Sequence, residues 1–203
     1  MLKLLLLLLL ALNGAWAQSS GQERLAEYER LSQEMTQLAS RNAWEGVERA
    51  YQDILETAIP PTAEEYHLGA QAAAKLGDVA STRARLILAL EVFDSQEFRD
   101  WIHTIDTNYG PVSLKGDPGK LELLVEQMPF DPAKASAIHF TQAQIAETGT
   151  FEGLLPGGTY EFGPMSLKVR PGVHTQRIDI RTDKYMRKLE RMERKDERSE
   201  DEG

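Results

Sequence analysis

Apolar residues between Leu31 and Leu90 recur at a spacing of 35 positions. The pairs are Leu31 with Tyr66, Leu38 with Ala73, Trp44 with Val79, Val47 with Thr82, Tyr51 with Leu86, and Leu55 with Leu90. Residues 22–105 read as helix, and prolines interrupt them only at Pro60 and Pro61. Breaks at 41–43 and 76–78 divide each unit into two segments. The spacing therefore predicts two consecutive units, each a helix, a tight turn and a second helix.

A repeat of about this length built from two antiparallel helices resembles the tetratricopeptide repeat. The second unit, with Leu76-Gly77-Asp78 followed by Ala89-Leu90-Glu91, carries the better match. The resemblance implies that the first helix of each unit lines a concave groove, suited to an extended peptide. The predicted groove residues are Ser32, Thr36 and Ser40 in unit one and His67, Gln71 and Lys75 in unit two. Two alternatives stay open, a plain helical bundle and a groove face that is merely solvent-exposed.

Within this helical region the sequence makes three finer predictions. Trp44 and Tyr51 lie two turns apart on one helix face and are expected to be buried between helices. Thr62 and Glu65 have the spacing of a capping box after Pro60-Pro61. A further helix over residues 95–105 is expected to cap the array.

Residues 106–181 collect glycine, proline and β-branched residues, which favours strands and turns. Strands are predicted at 112–114, 121–125, 159–162, 165–169 and 175–181. A helix is predicted to begin at Pro132, with Asp131 as its N-cap, and to stop at Gly149. Residues 154–162 and 169–172 resemble the small β-sandwich modules of the PEGA and carboxypeptidase-regulatory-like type. The predicted fold class is α+β: helical hairpins, then a small antiparallel β-rich domain with one helix, then a charged C-terminal helix.

The first seventeen residues have the three parts of a secretory signal peptide. Lys3 precedes a leucine-rich apolar block, and Ala15 and Ala17 occupy the −3 and −1 positions before Gln18. The apolar run is shorter than the roughly 20 residues that span a bilayer, so cleavage is favoured over a retained membrane anchor. The expected organisation is a signal peptide at 1–17, a helical domain at 18–105, the β-rich domain at 106–181 and a charged helical or disordered tail at 182–203.

The composition excludes several kinds of chemistry. The chain has no cysteine, which removes disulfides, thiolate catalysis and cysteine-bound zinc. The net charge of −9 argues against nucleic acid and anionic lipid as partners. His67, His103, His139 and His174 are scattered, and no hydrolase or phosphate-loop motif occurs. We therefore expect no enzymatic activity, no cofactor and no metal site.

The sequence thus predicts an exported protein, periplasmic or secreted, that acts as a non-enzymatic scaffold in a bacterial cell envelope. Its partner would be an envelope protein or peptide, docked by the helical groove or by the β module. The alternative is a glycan-binding or wall-binding module carried by the β domain. That alternative requires exposed aromatic side chains, for which Tyr109, Tyr160 and Phe162 are the candidates.

Overall fold

The computed structural model describes residues 2–119, 121–163, 165–172 and 175–179, and for residues 2–20 it describes the backbone alone. Five helices come first, then strands with one further helix among them. The helices of this described part are α1 (Leu2–Ser40), α2 (Trp44–Glu56), α3 (Ala63–Leu76), α4 (Val79–Val92), α5 (Gln96–Asn108) and α6 (Pro132–Thr148). Its strands are β1 (Tyr109–Lys115), β2 (Leu123–Val125), β3 (Thr150–Pro156), β4 (Gly158–Phe162), β5 (Met165–Val169) and β6 (Gln176–Asp179). The predicted α+β class and its order, helices before strands, are confirmed.

The chain divides into two compact units. Of the described residues, the first unit contains those up to Ala73 together with Ser81–Arg99, and the second contains Ala74–Ala80 together with those from Asp100 onward. The short segment around the α3–α4 turn thus belongs to the same unit as the strands.

The helices break where the sequence predicts. α1 ends at Ser40 and α2 begins at Trp44, with Asn42 in the left-handed region at φ 56°. α3 ends at Leu76, and Gly77 turns the chain at φ 91° before α4 begins. A residue with a side chain is strained at that φ, so glycine is the natural occupant of the turn.

The core of the first unit forms where α1, α2 and α3 meet. It contains Leu31, Met35, Val47, Ala50, Tyr51, Ile54 and Ala72. Tyr51 is buried as predicted, but Trp44 is only partly buried and packs at the margin of this cluster. The prediction for Trp44 was therefore wrong in degree, because that residue opens α2 next to the exposed turn at 41–42.

The end signals of α6 are also confirmed. The Asp131 carboxylate accepts a hydrogen bond from the Ala133 amide at 3.0 Å, Pro132 takes the first position, and Gly149 closes the helix at φ 72°. A side-chain acceptor satisfies one of the amides left free at a helix start, which fixes where the helix begins.

The strands form two three-stranded sheets. One has the order β3-β1-β6 and the other the order β2-β4-β5. Their shared core comprises residues of both sheets and of α6: Val112, Leu114, Leu123, Ile138, Ile145, Phe151, Leu155, Tyr160, Phe162, Leu167 and Val169. The two sheets and α6 thus bury one common apolar interior.

Two features of this β part differ from the prediction. β6 runs parallel to β1, with Val112 opposite Gln176, so the β part is mixed rather than antiparallel. β3 was not predicted at all, although it pairs with β1 along its whole length, from Tyr109–Pro156 to Lys115–Thr150. Strand pairing between distant segments is set by tertiary packing, which local alternation does not encode. The predicted charged tail at 182–203 lies outside the described residues.

Candidate functional site

The predicted groove residues on α1 are engaged within the chain. The half-buried Ser32 side chain hydrogen-bonds the Glu65 carboxylate. The exposed Thr36 donates its hydroxyl to the Ser32 carbonyl at 3.0 Å, and Ser40 donates to the Gln37 carbonyl at 2.7 Å. The hydroxyls of Thr36 and Ser40 have acceptors in their own helix, and Ser32 has its partner on α3, so a peptide ligand would have to compete with intrachain hydrogen bonds.

The groove residues on α3 differ in exposure. His67 is half-buried, lies 4.9 Å from Phe98 between ring centroids, and its Nε2 lies 3.1 Å from the Gln71 amide nitrogen. Lys75 is exposed. Of the predicted groove residues, Ser32 therefore contacts α3 through Glu65, and His67 contacts Gln71 within α3. The groove remains a prediction.

Glu65 is the centre of a polar cluster that the sequence indicated only in part. The capping box is confirmed, because the Thr62 amide donates to Glu65 Oε2 at 2.7 Å and the Glu65 amide donates to Thr62 Oγ1 at 3.3 Å. The same carboxylate also accepts the Tyr28 hydroxyl at 2.6 Å, from 37 positions earlier in the chain. Burial raises the pKa of Glu65, but the hydrogen bonds from Ser32, Tyr28 and Thr62 outweigh it and lower the pKa overall. Burial and the Glu65 charge raise the pKa of Tyr28 to about 12.

A second polar cluster surrounds the buried Arg85, which is 7% exposed. Its guanidinium donates to both Glu48 carboxylate oxygens, at 2.5 and 2.6 Å, and to the Gly69 carbonyl at 2.7 Å. It also lies 4.2 Å from the centre of the Tyr51 ring, within cation–π range. Burial raises the pKa of Glu48, but the hydrogen bonds from Arg85 and Gln52 and the Arg85 charge outweigh burial and lower the pKa overall. This cluster joins α2, α3 and α4, and its donors and acceptors are satisfied within the chain.

Both clusters are structural in character. Among the described residues, no buried side-chain nitrogen or oxygen lacks a hydrogen-bond partner. An ionised group that serves catalysis needs access to a substrate. The carboxylates of Glu48 and Glu65 instead accept hydrogen bonds from neighbouring helices. No signal in the sequence marks the pairing of Glu48 with Arg85, because the two residues lie 37 positions apart.

The aromatic residues proposed for glycan binding are all buried. Tyr109 is 8% exposed, Tyr160 is 2% exposed and Phe162 is fully buried. The Tyr160 hydroxyl donates to the Pro156 carbonyl at 2.8 Å, and burial is the main cause of its raised pKa. Since sugar stacking needs an accessible aromatic face, these three residues do not provide a glycan-binding platform.

The second unit instead carries an open cleft of about 560 Å³. Its walls are Val125, Glu126, Gln127, Pro129, Lys134, Pro156, Gly157, Gly158, Thr159 and Tyr160. Phe130 adjoins Pro129 and is 96% exposed, and Met128 beside it is exposed as well. Met128 and Phe130 therefore expose apolar surface on either side of a cleft-lining residue, and exposed apolar surface at a binding groove is a feature of interaction sites. The sequence analysis did not single out Phe130.

The remaining histidines of the described residues lie apart from one another. His103 and His139 are exposed, His139 is 3.2 Å from the Gln142 side-chain oxygen, and His174 lies outside the described residues. Within the described residues, no three or more histidine, cysteine or acidic side chains converge as a metal site would require. None of the helices in the described part combines the length and the apolarity needed to cross a membrane.

No known family model, curated protein or solved structure matches the chain.

Proposed function

We propose that this protein is exported to a bacterial cell envelope, periplasmic or secreted, and docks another envelope protein as a non-enzymatic scaffold. The pattern of residues 1–17 supports export. The hairpins α1–α2 and α3–α4 are proposed as tetratricopeptide-like units, and residues 154–172 as part of a small module of the PEGA or carboxypeptidase-regulatory-like type.

The exposed Phe130 beside the cleft carries the docking proposal. Aromatic residues are enriched at the centres of protein interfaces, where they exclude water over a large area. The predicted groove on α1 and α3 is the weaker docking surface, because most of its polar groups already have partners within the chain.

Export has a direct test at the N-terminus. Cleavage after Ala17 predicts that the exported protein begins at Gln18, which N-terminal sequencing determines. A membrane-bound product that still begins at Met1 would overturn the proposed export and cleavage.

Docking is tested by a photo-crosslinking amino acid placed at one position at a time in the full chain, in its own envelope. Phe130 probes the cleft, Thr36 probes the groove, and the exposed Glu97 serves as the control. We expect one discrete crosslinked protein from position 130, competed by an excess of the chain without the probe. Crosslinks from position 36 alone would assign docking to the groove. If positions 130 and 36 both crosslink no more strongly than the control position 97, the proposal is overturned.

A further inference from the structure

The ladder between β2 and β4 ends early. It pairs Leu123 with Phe162, Leu124 with Glu161 and Val125 with Tyr160. An antiparallel continuation would place Glu126 opposite Thr159 and Gln127 opposite Gly158. These four residues instead form facing walls of the cleft. The two strands therefore separate at the point where the cleft begins.

β4 itself continues as a strand past this point. On its other side, Thr159 pairs with Lys168 and Gly158 with Val169 of β5. On the cleft side, no strand of the described part of the chain pairs with Gly158 or Thr159. Successive residues of an antiparallel strand direct their backbone groups to opposite neighbours, so one of these two presents its N–H and C=O to the cleft. Such an open stretch is a template for an added strand.

The loop that leaves β2 carries an exposed apolar side chain, Phe130, one residue after Pro129, which lines the cleft. Phe130 immediately precedes Asp131, whose carboxylate caps α6, and it follows Pro129, whose ring fixes φ. Phe130 is thus anchored on both sides although its side chain is 96% exposed. A backbone that is already held leaves only the side-chain rotamer of Phe130 to be fixed when an apolar partner binds.

Two charged side chains line the cleft, the cation Lys134 and the carboxylate Glu126. The Lys134 Nζ donates to the Asn108 side-chain oxygen at 3.1 Å. Within the described residues no carboxylate lies within ion-pair distance of Lys134. An acidic group of a ligand would complement it.

We propose that this cleft binds an extended segment of a partner protein. The segment continues the antiparallel ladder along Gly158 and Thr159, sets an apolar side chain on Phe130, and places an acidic side chain at Lys134. This inference rests on the proposed docking function and names its ligand class.

The probe is a displayed library of random linear peptides, selected against the full chain and then measured singly by fluorescence polarisation. Selected peptides are expected to share an apolar residue near an acidic one. Phe130→Ser and Lys134→Glu should each weaken binding about tenfold or more. Phe93→Ser is the matched control, since Phe93 is also exposed, at 62%, but belongs to the first unit. It should bind as the parent chain does.

Two further measurements separate strand addition from simple apolar contact. Peptides with a lysine at the acidic position should recover binding to Lys134→Glu. Methylation of single peptide amides should weaken binding at one position and spare its two neighbours, because only one residue of the Gly158–Thr159 stretch presents its C=O to the cleft. Insensitivity to methylation, or equal binding by Phe130→Ser and the parent chain, would overturn the inference.

Other occupants give different results. If the chain sediments as a dimer that Phe130→Ser dissociates, the cleft is a contact between copies and the inference is overturned. If position 130 crosslinks an envelope protein while no linear peptide is selected, the inference fails but the docking function stands. If position 130 crosslinks nothing, the docking function fails with it.

Discussion

Arg85 offers the sharpest test of how the first unit is held together. Its guanidinium satisfies Glu48, the Gly69 carbonyl and the Tyr51 ring at once. Arg85→Met keeps most of the side-chain volume but leaves Glu48 with Gln52 as its remaining hydrogen-bond partner. Removing one member of a buried pair costs about 3–5 kcal/mol. Because the Glu48 side chain is 25% exposed and can recruit water, we expect the lower end, about 3 kcal/mol.

Urea unfolding followed by far-UV circular dichroism measures this loss as a change in the free energy of unfolding. Glu48→Met combined with Arg85→Met should recover much of the loss, since it removes the stranded carboxylate. Arg30→Met is the matched control: Arg30 also bridges two glutamates, Glu27 and Glu34, but its side chain is 56% exposed. That variant should leave the unfolding curve unchanged.

The pH dependence of the Arg85→Met loss gives an independent check. The folded state lowers the pKa of Glu48, so its contribution is present above the unfolded pKa and fades as pH falls through the folded pKa. The difference between the parent chain and Arg85→Met should therefore shrink in acid. A loss below about 1 kcal/mol at neutral pH, or a double variant no more stable than the single one, would refute this account.

Two other positions make comparable predictions for urea unfolding. Glu65→Gln should cost about 1–3 kcal/mol at neutral pH and less in acid, because the lowered pKa of Glu65 means that its stabilisation is lost as pH falls. Its exposed neighbour gives the control Glu64→Gln, and equal losses from both would contradict the buried cluster. Gly77→Ala should cost about 2–4 kcal/mol, since a Cβ at φ 91° would lie 2.3 Å from the Ser136 carbonyl oxygen. Gly21→Ala, whose Cβ meets no atom within 4 Å, should bring no loss, and a harmless Gly77→Ala would disprove the close approach.

Local signals predicted the helical part well. The turns at 41–43 and 76–78, the capping box at Thr62 and Glu65, and both ends of α6 lie where the sequence places them. Each of these depends on hydrogen bonds or backbone angles within a few residues, so the pattern and its cause lie in the same stretch of chain. The 35-residue spacing was less exact, since Leu55 belongs to it but is 43% exposed.

Strand pairings and ion pairs between distant segments could not be predicted from the sequence. The parallel contact of β6 with β1, the pairing of β3 with β1, and the joining of Glu48 to Arg85 link residues 35 or more positions apart. Their residues look ordinary in sequence, because a charged residue reads as solvent-exposed until a partner for it is known. Glu65 illustrates this, since its local capping role was predicted and its contact with Tyr28 was not.

The exposure of Phe130 could not be predicted from the sequence either. An isolated phenylalanine in a sequence is expected in a core, and hydrophobic periodicity gives no reason to place it in solvent. Here Pro129 precedes Phe130 and the α6 cap uses the residue after it, so the backbone is held while the side chain is exposed. The early end of the β2–β4 ladder leaves a strand edge open in the cleft that Pro129 also lines. The two features have separate structural causes yet meet at one cleft, which is why the peptide-binding experiments are directed there rather than at the helical groove.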